Sequence, residues 1–84
     1  MELLLIDKNG WTKSVKIEKA ITRLGTAASN DVQLQSQAIA AVHVQLIYTP
    51  ELPASCKLVN LASEIVVHGD DDAYPIPRLG NIEL

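Results

Sequence analysis

The sequence predicts an all-β protein, specifically a small antiparallel β-sandwich of about seven to nine short strands. Short segments of β-branched or alternating apolar residues recur at intervals of roughly ten residues, with turn-forming residues between them. Hydrophobic residues make up 48% of the chain and none is Phe. The core must therefore consist mainly of Val, Ile, Leu and Ala, which suits thin sheets packed face to face. The length of 84 residues predicts one domain over residues 1–84.

The first predicted unit is a β-hairpin. An apolar run over residues 2–6 stops at Asp-Lys-Asn-Gly, and Asn9-Gly10 is a strong hairpin signal because both residues tolerate positive φ. The return strand opens at Trp11 and alternates with period two.

A helix over residues 14–24 is an alternative for the segment after this hairpin. Its apolar residues also fall at helical spacing, with Ser14 as an N-cap and Gly25 as a C-cap. We favour strands because the segment is dense in β-branched residues and the Asn-Gly turn needs an extended return arm.

Further strands are predicted at residues 31–34, 43–48, 55–61 and 65–67, and a short last strand at 80–84. The clearest is 43–48, with Val44, Leu46 and Tyr48 on one face. Prolines at 50 and 53 require a turn, and those at 75 and 77 restrict their segment to an edge strand or a linker.

Residues 21–46 carry the most distinctive pattern. A strand runs into Gly25, the segment 30–34 reads Asn-Asp-Val-Gln-Leu, and a second loop ends at His43. This order and spacing resemble the forkhead-associated (FHA) domain, with its Gly-Arg loop, Asn-Asp-Val-x-Leu strand and Ser-Arg-x-His loop. The resemblance covers roughly residues 20–84. It implies an FHA-like sandwich in which Gly25 is a scaffold position and His43 a structural residue that tethers neighbouring loops.

FHA domains generally bind phosphothreonine peptides through loops at one end of the sandwich. Carried over by position, the family's phosphate-binding Arg falls on Thr26, its phosphate-binding Ser on Ala40, and the following Arg on Ala41. The later motif Ser-x-Asn-Gly-Thr-x-x-Asn-Gly is echoed around Ser63, but its first Asn-Gly pair is missing and the segment is shorter. The resemblance therefore implies a degenerate member that has lost the residues for phosphothreonine.

The chemistry of phosphate recognition leads to the same expectation. A phosphate dianion needs charge-assisted donors, preferably a bidentate Arg. No Lys or Arg occurs between Arg23 and Lys57, and the corresponding loops carry Asp31, Glu64 and Asp70 instead.

The remaining residues predict no enzyme, no metal and no cofactor. His68 has no paired nucleophile, and His43 has no second ligand at metal-binding spacing. The acidic run at residues 70–72 lacks the alternating carboxylates of a calcium loop. These features leave binding or assembly as the expected role.

Charge, hydropathy and cysteine usage limit the kinds of partner and the cell compartment that the sequence predicts. Net charge is −3, and the weak basic cluster in residues 1–23 has no aromatic platform, so nucleic acid is not expected. The longest apolar run, residues 3–6, is far short of the roughly 20 residues of a membrane helix. The lone Cys56 excludes an internal disulfide, and a cytoplasmic protein is expected.

The expected function is a non-catalytic protein-interaction or assembly module with an FHA-like fold. Two alternatives stay open: a phosphothreonine reader that uses other residues, and an unrelated small α+β domain whose resemblance to the FHA family is accidental.

The first strand is the predicted association edge. In the FHA family a last strand pairs beside the first strand, whereas here residues 80–84 leave that closing strand truncated or absent. The exposed edge would consist of Leu3, Leu4, Leu5 and Ile6, which include no Pro and no charge, the usual protections of an edge strand. The partner expected on this edge is a second copy in a two-fold dimer, or a strand from another protein.

Overall fold

The computed structural model describes residues 1–6, 11–51, 54–69 and 71–84. These residues form strands and connecting turns without a helix, which confirms the all-β prediction. The nine strands are β1 (Glu2–Ile6), β2 (Thr12–Lys16), β3 (Ile21–Gly25), β4 (Val32–Gln33), β5 (Val44–Thr49), β6 (Ser55–Asn60), β7 (Ile65–His68), β8 (Ala73–Ile76) and β9 (Asn81–Glu83).

One layer is a five-stranded sheet in the order β4-β3-β5-β6-β9. Its pairs are antiparallel except β3 with β4, which run parallel through Leu24↔Val32 and Gly25↔Gln33. This pair departs from the purely antiparallel arrangement expected from the sequence. Because only two residue pairs form this ladder, the loop over residues 26–31 is long enough to connect the two parallel strands. Leu34 N–H adds a hydrogen bond to the ladder by donating to Gly25 O at 2.7 Å.

The opposite layer consists of two separate two-stranded sheets, β1-β2 and β7-β8. Their inward residues pack against the five-stranded sheet in one core, whose buried members are Val15, Ile17, Leu24, Leu34, Leu46, Cys56 and Leu58. Leu3, Leu5, Ile65 and Val67 are half-buried against it. Burying an aliphatic side chain contributes about 1.5–3 kcal/mol, so this layer is held mainly by its alternate apolar residues.

The helix alternative for residues 14–24 is wrong. β2 pairs with β1 from Glu2↔Lys16 to Ile6↔Thr12, and β3 pairs with β5. Val15 is buried whereas its neighbours Ser14 and Lys16 are exposed, which is the period of a strand. The proposed Asn9-Gly10 turn lies outside the described residues.

The later strands largely follow the sequence predictions. In β5, Leu46 is buried and Val44 and Tyr48 are half-buried on the same face. Pro75 lies in β8, an outer strand, as expected for a residue that cannot donate to a ladder. β9 confirms the short last strand and pairs with β6 through Leu58↔Ile82. Within the described ranges, no helix has the length and apolar character needed to cross a membrane.

Candidate functional site

Three loops meet at one end of the five-stranded sheet, and we call them the crown: residues 26–31, 35–43 and 61–64. The crown brings together all four positions that the sequence assigned to the degenerate pocket. Thr26 N–H donates to Ala40 O at 3.0 Å, and Ala27 N–H donates to Ala41 O at 3.2 Å. Ser63 O lies 2.9 Å from His43 Nε2.

Gly25 allows the first two crown loops to touch. A Cβ at this position would overlap the carbonyl oxygen of Ala41 and would lie 2.9 Å from Ala40 O. Real Cβ atoms are not found that close to backbone, so a side chain here would push residues 40 and 41 away. Glycine is needed at Gly25 for spacing.

His43 links the second crown loop to the third. Its side chain is buried, with 5% exposed. Nδ1 lies 3.1 Å from Ala40 N and accepts that N–H. A neutral ring with Nδ1 as acceptor carries its proton on Nε2, which then donates to Ser63 O. Both ring nitrogens are therefore used inside the crown, an arrangement suited to a tether.

Asn60 is the most buried polar residue of this end of the molecule, and its role could not be predicted from the sequence beyond its inward position. Its side chain has 0% exposure. Nδ2 donates to Ser63 O at 3.0 Å and to Ile76 O at 2.8 Å, and Oδ1 accepts Ala62 N–H at 3.2 Å. The sequence signal for a buried, hydrogen-bonded role was that Asn60 lies on the same inward face of its strand as Cys56.

Asn30 ties the first crown loop to the second. Its Nδ2 donates to Ala27 O at 2.8 Å and to Ala41 O at 2.6 Å. Its Oδ1 is buried and has no donor among the described residues. The amide of Asn30 is thus used to hold the loops at a fixed distance.

The cations nearest the crown in sequence, Lys19 and Arg23, already have polar partners. Arg23 Nε donates to Gln45 Oε1 at 3.3 Å, and Arg23 N–H donates to Asp31 Oδ2 at 2.9 Å. Lys19 forms an ion pair with Asp31. The Lys19 hydrogen bond, followed by that of the Arg23 amide, lowers the pKa of the Asp31 carboxyl below its ordinary value. Glu64 adds an exposed acid to the crown.

Other candidate groups form no reactive cluster in the part of the chain that the structure describes. There, no three His, Cys, Asp or Glu side chains come close enough to hold a metal ion. Cys56 is fully buried, and burial raises the pKa of its thiol, which keeps it in the unreactive protonated form. His68 is exposed at the end of β7, and Asp70 lies outside the described residues.

The predicted association edge is β1. Leu3 and Leu5 face the core, whereas Leu4 is 61% and Ile6 64% exposed. Among the described strands, β1 pairs with β2 alone, because β9 joins β6 in the other layer. A cleft of about 1030 Å³ separates β1 from β7.

Comparisons with known proteins reveal a fold and no family. No family model matches the chain, and no curated protein matches it. Among solved structures, the chain is similar to the crystal structure of the Slr1951 protein from Synechocystis sp., with a TM-score of 0.61 and 14% identity. The likeness covers 89% of this chain and 79% of that one. At this identity it supports the sandwich-like fold alone.

Proposed function

We propose that this protein is a non-catalytic interaction or assembly module of FHA-like fold, located in the cytoplasm, whose crown does not read phosphothreonine. The partner is another protein or a second copy of the chain. The observation that carries the proposal is that the crown uses its own polar groups to hold its loops together. His43, Asn30 and Asn60 each bond to crown backbone through their side chains.

The FHA-like assignment is supported by what the resembling positions do. Gly25 permits close loop contact, Asn30 joins the first crown loop to the second, and His43 joins the second to the third. These are the scaffold positions of the resemblance. The ligand positions Thr26 and Ala40 contribute a backbone hydrogen bond to each other and have neutral side chains.

The electrostatics of the crown oppose an anionic ligand. A phosphate dianion is stabilised by paired, charge-assisted donors, which Thr26, Ala40 and Ala41 do not offer. The Arg23 side chain bonds to Gln45, and Lys19 pairs with Asp31, the acid of the first crown loop.

Titration calorimetry with a phosphothreonine peptide library tests the proposal. We expect no heat that depends on the phosphate, with the dephosphorylated library as control. Micromolar affinity that disappears on dephosphorylation would overturn the proposal and favour a phosphothreonine reader with other residues.

A double variant distinguishes two reasons for the absence of phosphothreonine binding: missing ligand-binding side chains, or crown loops that leave no room for the peptide. Thr26→Arg with Ala40→Ser restores the two residue types that the resemblance requires, and Thr26→Gln with Ala40→Ser is its neutral counterpart. We expect neither to bind phosphothreonine, because the shortened segment after Ser63 still lacks an Asn for the peptide backbone. Phosphate-dependent binding by the Arg variant alone would contradict this expectation.

A further inference from the structure

The layer opposite the five-stranded sheet is divided between two separate hairpins. One strand of each, β1 and β7, lines the same cleft. We propose that the cleft between β1 and β7 accepts an extended β-strand segment of a partner protein, with apolar side chains at alternate positions and basic residues between them. This inference rests on the proposed role as an interaction module and names the chemistry of its partner.

The backbone of β1 presents to the cleft hydrogen-bonding groups that have no backbone partner among the described residues. Ile17 N–H donates to Met1 O at 2.7 Å, so residues 1 and 17 form a hydrogen-bonded pair. In an antiparallel ladder such pairs alternate with non-bonded ones. By the register, Leu3 and Leu5 bond to β2, while the N–H and C=O groups of Leu4 and Ile6 point away from it.

The same alternation holds on the opposite wall. Gly69 N–H donates to Asp72 O at 2.8 Å, which makes residues 69 and 72 a bonded pair. Val67↔Tyr74 is then bonded as well, and Val66↔Pro75 is not. The backbone groups of Val66 therefore point away from β8, and the missing N–H of Pro75 falls on the far edge of β8.

Both outer edges carry a residue type that opposes strand addition, whereas the only such residue on the two inner edges is Glu2 at the first position of β1. Lys16 on β2 and Pro75 on β8 are the residue types that natural edge strands use to prevent pairing. β1 from residue 3 to 6 and β7 from residue 65 to 67 contain neither Pro nor charge. This asymmetry marks the inner edges as acceptors.

The cleft between these edges suits the side chains of a strand. Its floor includes the half-buried apolar residues Ile39, Val44 and Ile65, and its volume is about 1030 Å³. β1 and β7 are not hydrogen-bonded to each other. A strand placed between them would lay alternate apolar side chains on that floor and pair its backbone with the walls. A lipid chain could cover the floor but would leave the backbone edges unpaired.

A second folded copy is the less suitable occupant, although a two-fold dimer was expected from the sequence. Leu3, Leu5 and Val15 hold the β1-β2 sheet against the five-stranded sheet through the core. The β1 strand of another copy would therefore arrive with its own five-stranded sheet beneath it, where this copy's sheet already lies. Only a segment without a packed body of its own fits the space.

The charge around the cleft indicates a basic partner. Glu64 lines the main cleft, and Glu83 lines an adjoining cavity of about 340 Å³. The described lining of both contains no Lys or Arg, and the chain carries a net charge of −3. Complementary charge speeds association and disfavours acidic partners.

The test uses a fluorescently labelled nine-residue peptide with Val at even positions and Lys or Thr at odd positions. We expect saturable binding to the folded protein, measured by fluorescence anisotropy. The control peptide has the same sequence with N-methyl groups on the amides of both edges, which removes strand pairing with either wall and keeps the side chains. We expect it not to bind.

Two matched variants locate the site. Leu4 and Ser14 are register partners, and neither uses its backbone in the β1-β2 ladder. Leu4→Pro removes a donor from the cleft edge and should weaken peptide binding by about two- to tenfold. Ser14→Pro removes the equivalent donor from the outer edge and should leave binding unchanged. Circular dichroism verifies that both variants remain folded.

Three outcomes would overturn the inference: no peptide binding by the folded protein, equal binding of the N-methylated peptide, or equal effects of the two Pro variants. A dimer in sedimentation that Leu4→Pro dissociates and that does not bind the peptide would assign the cleft to a second copy and also overturn it. Failure of the proposed function would instead appear as phosphate-dependent binding at the crown, which these measurements do not involve.

Discussion

The crown and the cleft differ in how their backbone hydrogen-bonding groups are used. In the crown, Gly25 brings two loops into contact, and His43 and Asn60 bond to the third. In the cleft, two strands leave one edge each without a partner among the described strands. An inward-facing set of hydrogen bonds holds a loop cluster rigid, whereas an unpaired edge can form new ladder bonds. We therefore propose the cleft as the binding surface, away from the end where the FHA resemblance places its ligand.

The largest expected effect comes from opening the crown. Asn60→Ala removes three side-chain hydrogen bonds and leaves Ala62 N–H and Ile76 O without their buried partner. We expect a loss of about 2–4 kcal/mol in the free energy of unfolding. Urea denaturation measures it. Asn81→Ala, at an exposed position of β9, is the matched control and should change stability by less than about 0.5 kcal/mol. Equal losses would show that Asn60 does not hold the crown.

A smaller effect of opposite sign is expected at a strained turn that bonds to the end of β6. Leu79 has φ of 65° and is 71% exposed. It occupies the third position of the turn closed by Gly80 N–H donating to Pro77 O at 2.9 Å, where glycine is the favoured residue. Its N–H donates to Asn60 O at 2.7 Å, which holds the turn in place.

Leu79→Gly should therefore stabilise the protein by roughly 1 kcal/mol, because glycine relieves the left-handed strain and only an exposed side chain is lost. Thermal denaturation measures the gain. Arg78→Gly, one residue earlier in the same turn, is the control and should give no gain, because glycine there only adds freedom to the unfolded chain. A loss of stability in Leu79→Gly would mean that the Leu79 side chain makes a stabilising contact.

The smallest expected effect concerns pH. The pKa of Asp31 is lowered in the folded protein, mainly by Lys19. A lowered folded pKa adds stability above the unfolded pKa, and this contribution is lost as pH falls through the folded pKa, below about pH 4. The Tm difference between wild type and Asp31→Asn should therefore shrink as pH falls from 6 to below 3. Asp71→Asn, at an exposed position, is the control. A Tm difference that does not change with pH would show that the Lys19–Asp31 ion pair does not stabilise the folded protein.

The sequence carried the local features and missed the long-range ones. The period of β2, the inward face of β5 and the edge position of Pro75 follow from side-chain alternation and from proline chemistry, which are properties of neighbouring residues. The parallel pairing of β4 and the joining of β9 to β6 depend on which strands meet in space. Period and turn chemistry do not encode that choice.

The candidate site divides in the same way. Gly25, His43 and the pocket positions could be placed from spacing within one stretch of chain. The role of Asn60 could not, because its partners include Ile76, a residue of a different strand pair. The cleft was foreseen only as the open edge of β1. Its second wall, β7, is brought opposite by the packing of two hairpins on one sheet.

Amide hydrogen exchange resolved by NMR tests the contrast between crown and cleft most directly. The crown amides of Thr26, Ala40 and His43 donate to Ala40 O, to the His43 ring and to Leu24 O respectively. The amides of Leu4 and Ile6 point into the cleft by the ladder alternation. Amides bonded within the fold exchange only through opening, whereas unpaired edge amides exchange freely.

We therefore predict that the three crown amides exchange more slowly than those of Leu4 and Ile6 by about a hundredfold or more. Leu3 and Leu5 are internal controls in the same strand, because their amides bond to β2 and should be protected. Protection of Leu4 and Ile6 equal to that of Leu3 and Leu5, or rapid exchange throughout the crown, would contradict the account.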